Sequence, residues 1–133
     1  DRQFAKNHMW AQPENDGIFR FGFSAYAVRL LQDVYFLDWT VDVDSKLRAQ
    51  QAIGAVESSK AESELYAPIG GNLVRLNEGL LVDPAMINVD MYGRGWLFEI
   101  EGLGDDLLTP VEYIEHLRAV WEIAQRTIKG QLG

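Results

Sequence analysis

The sequence predicts a mainly β fold, a small sandwich or flattened barrel carrying short helices and one C-terminal amphipathic helix. Three observations carry this. Short apolar stretches recur at regular spacing, separated by turn residues. A small-residue stretch and a tyrosine-anchored stretch flank Lys60 like the two arms of a hairpin. From Thr109 onward the apolar residues change to a spacing of three and four, which is helical.

Each element has a local reason. Residues 1–7 are polar enough to read as a loose lead-in, and the first strand signal is His8-Met9-Trp10-Ala11. Pro13 to Gly17 contains Asp16-Gly17, a hairpin-turn signature. Ile18 to Phe23 is rich in aromatic and branched residues and reads as a strand. Ser24 is placed to cap a short helix over Ala25 to Leu31. Asp33 to Trp39 is nearly continuous in apolar character, so it is expected to be a strand buried on both faces. Val41 to Leu47 alternates like a strand but is charged like an exposed bend, and both readings stay open. Gly71 to Asn77 alternates clearly and is a strand. Asp83-Pro84 begins a short helix by its grammar, with Asp as cap and Pro in the first turn. Tyr92 to Gly95 is a turn and Trp96 to Ile100 a last strand.

Thr109-Pro110-Val111-Glu112 is a capping box with proline at the first helical position. In the helix it opens, Val111, Ile114, Leu117, Trp121, Ala124 and Ile128 form one apolar stripe, expected to pack on the sheet, with docking of a partner as the alternative. Arg126 and Lys129 suit the negative end of the helix dipole, and Gly130 is placed to close it.

The hairpin around Lys60 is the chemically suggestive stretch. Gln51 to Glu57 supplies a first arm whose Gly54 and alanines permit close approach of a neighbouring backbone. Ala61 to Tyr66 is the return arm. It ends at Ala67-Pro68, where proline removes a ladder donor and drives the preceding residue to extended geometry. Gly70-Gly71 then allows a sharp reversal. Lys60 therefore sits at or beside the tip, flanked by the small residues Ser59 and Ala61. An exposed amine on a rigid mount suits attachment of a covalent cofactor.

Bulk properties narrow the function. At 133 residues the chain is expected to be one domain spanning 1–133, large enough to bury a core. The formal net charge of −8 leaves no phosphate-neutralising patch, so nucleic acid is not an expected partner. The same acidity suits docking on basic surfaces of other proteins, and it also favours solubility. No apolar run is long enough for a membrane span, so no membrane partner is expected either. The start, Asp1-Arg2-Gln3-Phe4, has no basic-then-apolar signal pattern and no initiating Met, which leaves room for a removed upstream segment. Cysteine is absent, so thiol redox chemistry and thiolate-bound metals require an added group. The two histidines, His8 and His116, lack the sequence company of a catalytic dyad. No catalytic or metal-ligating set is expected. His116 reads as a surface residue, and Trp10, Tyr66 and Trp96 as core aromatics.

The string Glu57-Ser58-Ser59-Lys60-Ala61, followed by Leu65-Tyr66-Ala67-Pro68, resembles the lipoyl-attachment hairpin of lipoate carriers. It is most similar to that of the glycine cleavage H proteins, and the likeness runs from His8 to about Ile100. The resemblance implies the barrel-sandwich hybrid architecture of lipoyl domains, with lipoate in amide linkage on Lys60. It also implies that Glu57 helps the lipoate-attaching enzyme recognise the hairpin. Biotin carriers place methionine on both sides of their lysine, and Ser59 and Ala61 argue against that alternative. The implied role is that of a non-enzymatic, cytoplasmic carrier, expected to be a monomer.

Departures from the family pattern bear on pathway. Thr40 to Ser45 lacks the usual proline and glycine, Met91 and Arg94 depart within Asp90 to Trp96, and the C-terminal helix is longer than usual. The implied partners differ by pathway. One reading is the glycine cleavage H protein itself, passing an aminomethyl group among the glycine cleavage enzymes and reoxidised by dihydrolipoyl dehydrogenase. The other is the H-protein-like lipoate-binding protein of bacterial sulfur oxidation, carrying sulfur for a heterodisulfide-reductase-like complex. The departures favour the second. A cofactor-free interaction module on the same scaffold is a third reading.

Overall fold

The computed structural model describes residues 2–132, with side chains through residue 123. Nine strands run in chain order: β1 (Gln3–Phe4), β2 (Met9–Pro13), β3 (Ile18–Phe23), β4 (Val34–Trp39), β5 (Lys46–Leu47), β6 (Ala52–Ser58), β7 (Glu62–Tyr66), β8 (Gly71–Leu76) and β9 (Phe98–Glu101). The helices are α1 (Ala25–Leu31), the one-turn α2 (Gly79–Val82) and α3 (Met86–Val89), and α4 (Pro110–Leu132). The strands form a six-stranded sheet, β1-β2-β3-β9-β8-β5, and a three-stranded sheet, β4-β6-β7. All neighbouring strands are antiparallel.

The core lies between the sheets. Phe21, Leu73, Phe98 and Ile100 of the larger sheet are buried with Leu37, Ile53, Val56 and Leu65 of the smaller one. Trp39 meets Phe98 edge-on at 5.7 Å between ring centres. This is the expected sandwich. Under the larger sheet's surface, Glu99 is buried and holds Arg20 at 2.9 Å and Arg75 at 3.3 Å. Arg20 also lies over the Trp96 ring, so its charge is shared between a carboxylate and an aromatic face.

Several expectations hold closely. Asp16 and Gly17 both take positive φ in the β2–β3 turn. The hydroxyl of Ser24 accepts the Ala27 N–H and caps α1. The capping box closes reciprocally: Thr109 N–H donates to Glu112 at 2.8 Å and Glu112 N–H to the Thr109 hydroxyl at 3.2 Å.

Other expectations are corrected. The N-terminal stretch is not loose, because β1 pairs with β2 and Phe4 bridges to Leu108 and stacks on Tyr113. Two residues are too few to show a periodicity. β4 is buried on one side only. A register shift between Val34 and Phe36 leaves Tyr35 and Phe36 exposed while Val34 and Leu37 point inward. The ambiguous Val41 to Leu47 stretch is mostly bend, ending in the two-residue β5. Asp83 does not open a helix: it is the C-cap of α2, and α3 begins after Ala85 with no side-chain cap. Trp10 is buried, but Tyr66 is exposed on the outer face of β7. The stripe of α4 does not pack as expected, since Val111, Ile114 and Trp121 are exposed. The side chains of Ala124, Arg126, Ile128 and Lys129 lie outside the described residues. The helix does not close at Gly130 but runs on to Leu132.

Candidate functional site

Lys60 lies at the tip of the hairpin formed by β6 and β7, as expected, and is exposed. The tip is rigid for a local reason. Ser58 is buried, and its hydroxyl accepts the N–H groups of Lys60 (3.3 Å) and Ala61 (3.2 Å) while donating to the Ala61 carbonyl (3.2 Å). That uses one donor and both lone pairs, so the hydroxyl is saturated. The Ser58 N–H closes the turn on the same carbonyl at 2.9 Å.

The turn is also tied sideways. Ser59 N–H donates to the Asp33 carbonyl at 2.9 Å, and the Ser59 hydroxyl accepts the Asp33 N–H at 3.2 Å. The α1–β4 connection that carries Asp33 is held in turn by Asn88. Its side chain donates to the Gln32 carbonyl at 2.5 Å and accepts the Val34 N–H at 2.9 Å. Sequence reasoning missed Asn88. Its partners are more than fifty residues away, and a lone Asn in a short helix gives no local signal.

The first arm packs closely, as its small residues suggest. A Cβ on Gly54 would lie 2.4 Å from the Asp38 carbonyl oxygen of β4. Glu57 is half-buried in β6, opposite Phe36 of β4 and Glu62 of β7. With Glu62 and Glu64 on β7, this gives the hairpin an acidic rim. Glu64 accepts the Tyr66 phenol at 2.8 Å, and that bond with the neighbouring charge raises the Tyr66 pKa.

A groove of about 330 Å³ starts at Ala61, the residue after Lys60. It runs along β7, with Met9, Phe23, Leu31 and Leu65 among its lining and His8 on one side. Its lining is mostly apolar. An exposed amine on a doubly tied turn, beside an apolar channel, fits an amide-linked lipoate.

His8 is not in a catalytic arrangement. Its Nδ1 lies 2.9 Å from the Tyr113 hydroxyl, which lies 3.1 Å from the Ser24 hydroxyl. His116, half-buried rather than on the surface, lies 5.9 Å from His8 between ring centres. Burial, and then His116, lower the His8 pKa, so the folded state prefers neutral His8. The unfolded chain therefore binds more protons below its own His pKa of about 6.5. The contribution is complete above that pH and is lost as pH falls through the lower folded value. Urea midpoints of the wild type should drop in that window more steeply than those of His8→Asn. Asparagine tolerates the φ of 69° found there. Parallel curves would refute it. Among the described residues, no group of three or more metal-ligating side chains occurs.

The family model described as "Glycine cleavage H-protein" matches residues 2–123. The chain belongs to the glycine cleavage H-protein family. The glycine cleavage system H protein of Pseudoalteromonas atlantica is 43% identical over 113 residues, covering 79% of this chain and 87% of that one. The probable glycine cleavage system H protein of Natronomonas pharaonis is 40% identical, covering 85% and 90%. The crystal structure of a glycine cleavage system H protein from Mycobacterium marinum superposes with a TM-score of 0.74 at 36% identity, covering 85% of this chain and 93% of that one. The sandwich described above is accordingly the barrel-sandwich hybrid of the H proteins. Members of this family are carriers with lipoate covalently bound to a lysine.

Proposed function

We propose that the chain is the lipoyl carrier of a glycine cleavage system and that Lys60 bears the lipoate. The supporting observation is the exposed amine on a turn hydrogen-bonded from two sides, within a chain of H-protein family membership. The residues divide the work. Ser58 and Ser59 fix the root of the arm. The apolar groove beside β7 offers the arm a sheltered resting place next to that root. The acidic rim of Glu57, Glu62 and Glu64 steers the tip toward basic active-site mouths. When attached, lipoate supplies a dithiolane that accepts the aminomethyl group reductively and is then reoxidised. On this reading the partners are a lipoate-attaching enzyme, glycine decarboxylase, the folate-dependent aminomethyltransferase and dihydrolipoyl dehydrogenase. A cytoplasmic setting and a single carrier domain over 1–133 go with it. None of the described helices is long and apolar enough to cross a membrane.

The leaning toward sulfur oxidation is reversed here. It rested on local departures such as Met91 and Arg94, whereas relatives matching most of the chain at 40% and 43% identity carry glycine cleavage names. A heterodisulfide-reductase-like complex therefore drops out of the proposed partners. Lipoylated protein offered to glycine decarboxylase with glycine should support glycine-dependent release of carbon dioxide. Failure of a fully lipoylated sample to do so would remove the pathway while leaving the carrier role intact.

Glu57 is proposed to guide the attaching enzyme. It lies next to the turn-closing Ser58, on the middle strand of the small sheet and three residues before Lys60. Glu57→Gln should slow lipoate attachment by roughly tenfold, as expected for one lost interfacial charge contact, with little change in stability. A time course of intact mass with purified ligase reads this. An unchanged rate would leave Glu57 only as a solubilising rim residue.

A further inference from the structure

The backbone is strained at Gln32, one residue from the connection that ties the Lys60 turn. Gln32 closes α1, donating its N–H to the Val28 carbonyl, with φ 61° and ψ −134°. Those angles lie outside the small left-handed well, near the first central residue of a type II′ turn, a place glycine dominates. A larger residue persists there only where its surroundings over-determine the backbone, and such strain collects at functional sites. Asn88 supplies the restraint. Its side chain donates to the Gln32 carbonyl at 2.5 Å and accepts the Val34 N–H at 2.9 Å, so it grips the chain on both sides of Asp33. Asn88 is half-buried, and α3 is anchored beside it by the fully buried Ile87. The backbone of Asp33 in turn holds Ser59, the residue before Lys60, by two hydrogen bonds of 2.9 and 3.2 Å.

We propose that Asn88 is a positioning residue for lipoate attachment. It holds Gln32 and Asp33 in the one backbone conformation that clamps Ser59, and so presents the Lys60 amine in the geometry the attaching enzyme accepts. This rests on the reading of Lys60 as the lipoyl lysine. Asn88 acts at a distance, through Asp33 and then Ser59, and takes no part in the transfer itself. Without it, Gln32 relaxes toward an ordinary negative φ, and the N–H and carbonyl of Asp33 turn away from Ser59 together. The tip then keeps only its internal bonds through Ser58. The clamped tip becomes a fraction of the population, and the apparent affinity of the enzyme for the carrier falls by that fraction. Once bound, the amine reacts as before, so the loss falls on KM and not on kcat.

The test uses the full chain and begins before any lipoate is attached. Amide hydrogen exchange read by NMR should show the Ser59 N–H exchanging roughly tenfold faster in Asn88→Ala, beyond any change at the amides of β8 and β9. Attachment kinetics with purified lipoate ligase should then show the KM for the carrier raised roughly three- to tenfold, with kcat little changed. Asn88→Asp has the same shape, keeps the acceptor for Val34 and loses the donor to Gln32. It should move both readings in the same direction, and it serves where the alanine variant does not fold. Ile100→Val, a core change in the larger sheet, is the comparison for a general loss of stability and should move neither reading. Adding Gln32→Gly to Asn88→Ala should recover most of both losses, because glycine holds a positive φ without support. A merely structural loss at α3 would not be repaired from Gln32. Unmoved exchange and KM in the folded Asn88 variants overturn the proposal. So does a loss that Ile100→Val reproduces, or one that Gln32→Gly fails to repair. A wild type that takes no lipoate at Lys60 removes the lipoyl reading and the proposal with it, whereas a lipoylated wild type beside an unmoved Asn88→Ala removes the proposal alone.

Discussion

Lys60→Arg should abolish lipoate attachment completely, and with it every activity that depends on a carried group. The chain has four lysines, Lys6, Lys46, Lys60 and Lys129. Among the described residues, only Lys60 stands at a hairpin tip whose backbone is tied both internally, through Ser58, and to Asp33 of the α1–β4 connection, through Ser59. Amide formation needs a neutral amine to attack the activated carboxyl. A guanidinium stays protonated at all accessible pH and does not substitute for it. The replacement keeps the charge and replaces an exposed side chain, so stability should move by no more than about 0.5 kcal/mol. Intact mass after incubation with a lipoate ligase reads the outcome. The wild type should gain one lipoyl increment and the variant none, at equal fold content. A variant that still gains the increment would place lipoate elsewhere and remove the hairpin's role.

Gly54→Ala should cost about 2–3 kcal/mol, the upper part of the range for forcing extra carbon into close-packed structure. The added methyl would lie 2.4 Å from the Asp38 carbonyl oxygen and 3.0 Å from the Trp39 ring. The first of these is backbone and has no rotamer by which to escape. β6 is the middle strand of β4-β6-β7, so pushing it away from β4 disturbs the pairing that carries the Lys60 turn. Alanine alone should favour the folded chain by about 0.4–1 kcal/mol through a less flexible unfolded state. The clash has to exceed that gain. A lower urea midpoint with an unchanged slope is the expected result. Gly17→Ala is the comparison: Gly17 has open space around it and a positive φ, so its cost is only that of the left-handed backbone. If Gly54→Ala were the milder of the two, the close approach of β6 to β4 would not matter to the fold.

Most of the site was legible because its signals are local. Ala67-Pro68 restricts the backbone, Gly54 and the small residues around Lys60 permit close approach, and together they read as a hairpin before any contact is known. Ser24 and Thr109-Glu112 are likewise caps whose partners lie three residues away. What escaped was set by distant partners. β1 exists because Phe4 finds Trp10, Leu108 and Tyr113. Asn88 matters because it reaches Gln32 and Val34. The expected cap at Asp83 failed because two single-turn helices share that stretch, and Asp83 closes the first rather than opening the second. Pathway preference went astray for a related reason. Local departures such as Met91 and Arg94 point one way, while similarity over the whole chain carries the larger signal.

The sequence by itself determined the strand-rich class, the Lys60 hairpin and both good helix caps, because turn geometry and capping are decided by neighbours along the chain. Only the tertiary structure decided which faces are covered. It turned Tyr35, Phe36 and the Ile114–Trp121 side of α4 outward and joined His8 to Tyr113. The physical reason is that an apolar period shows which residues prefer burial, whereas burial itself depends on what another part of the fold brings opposite them.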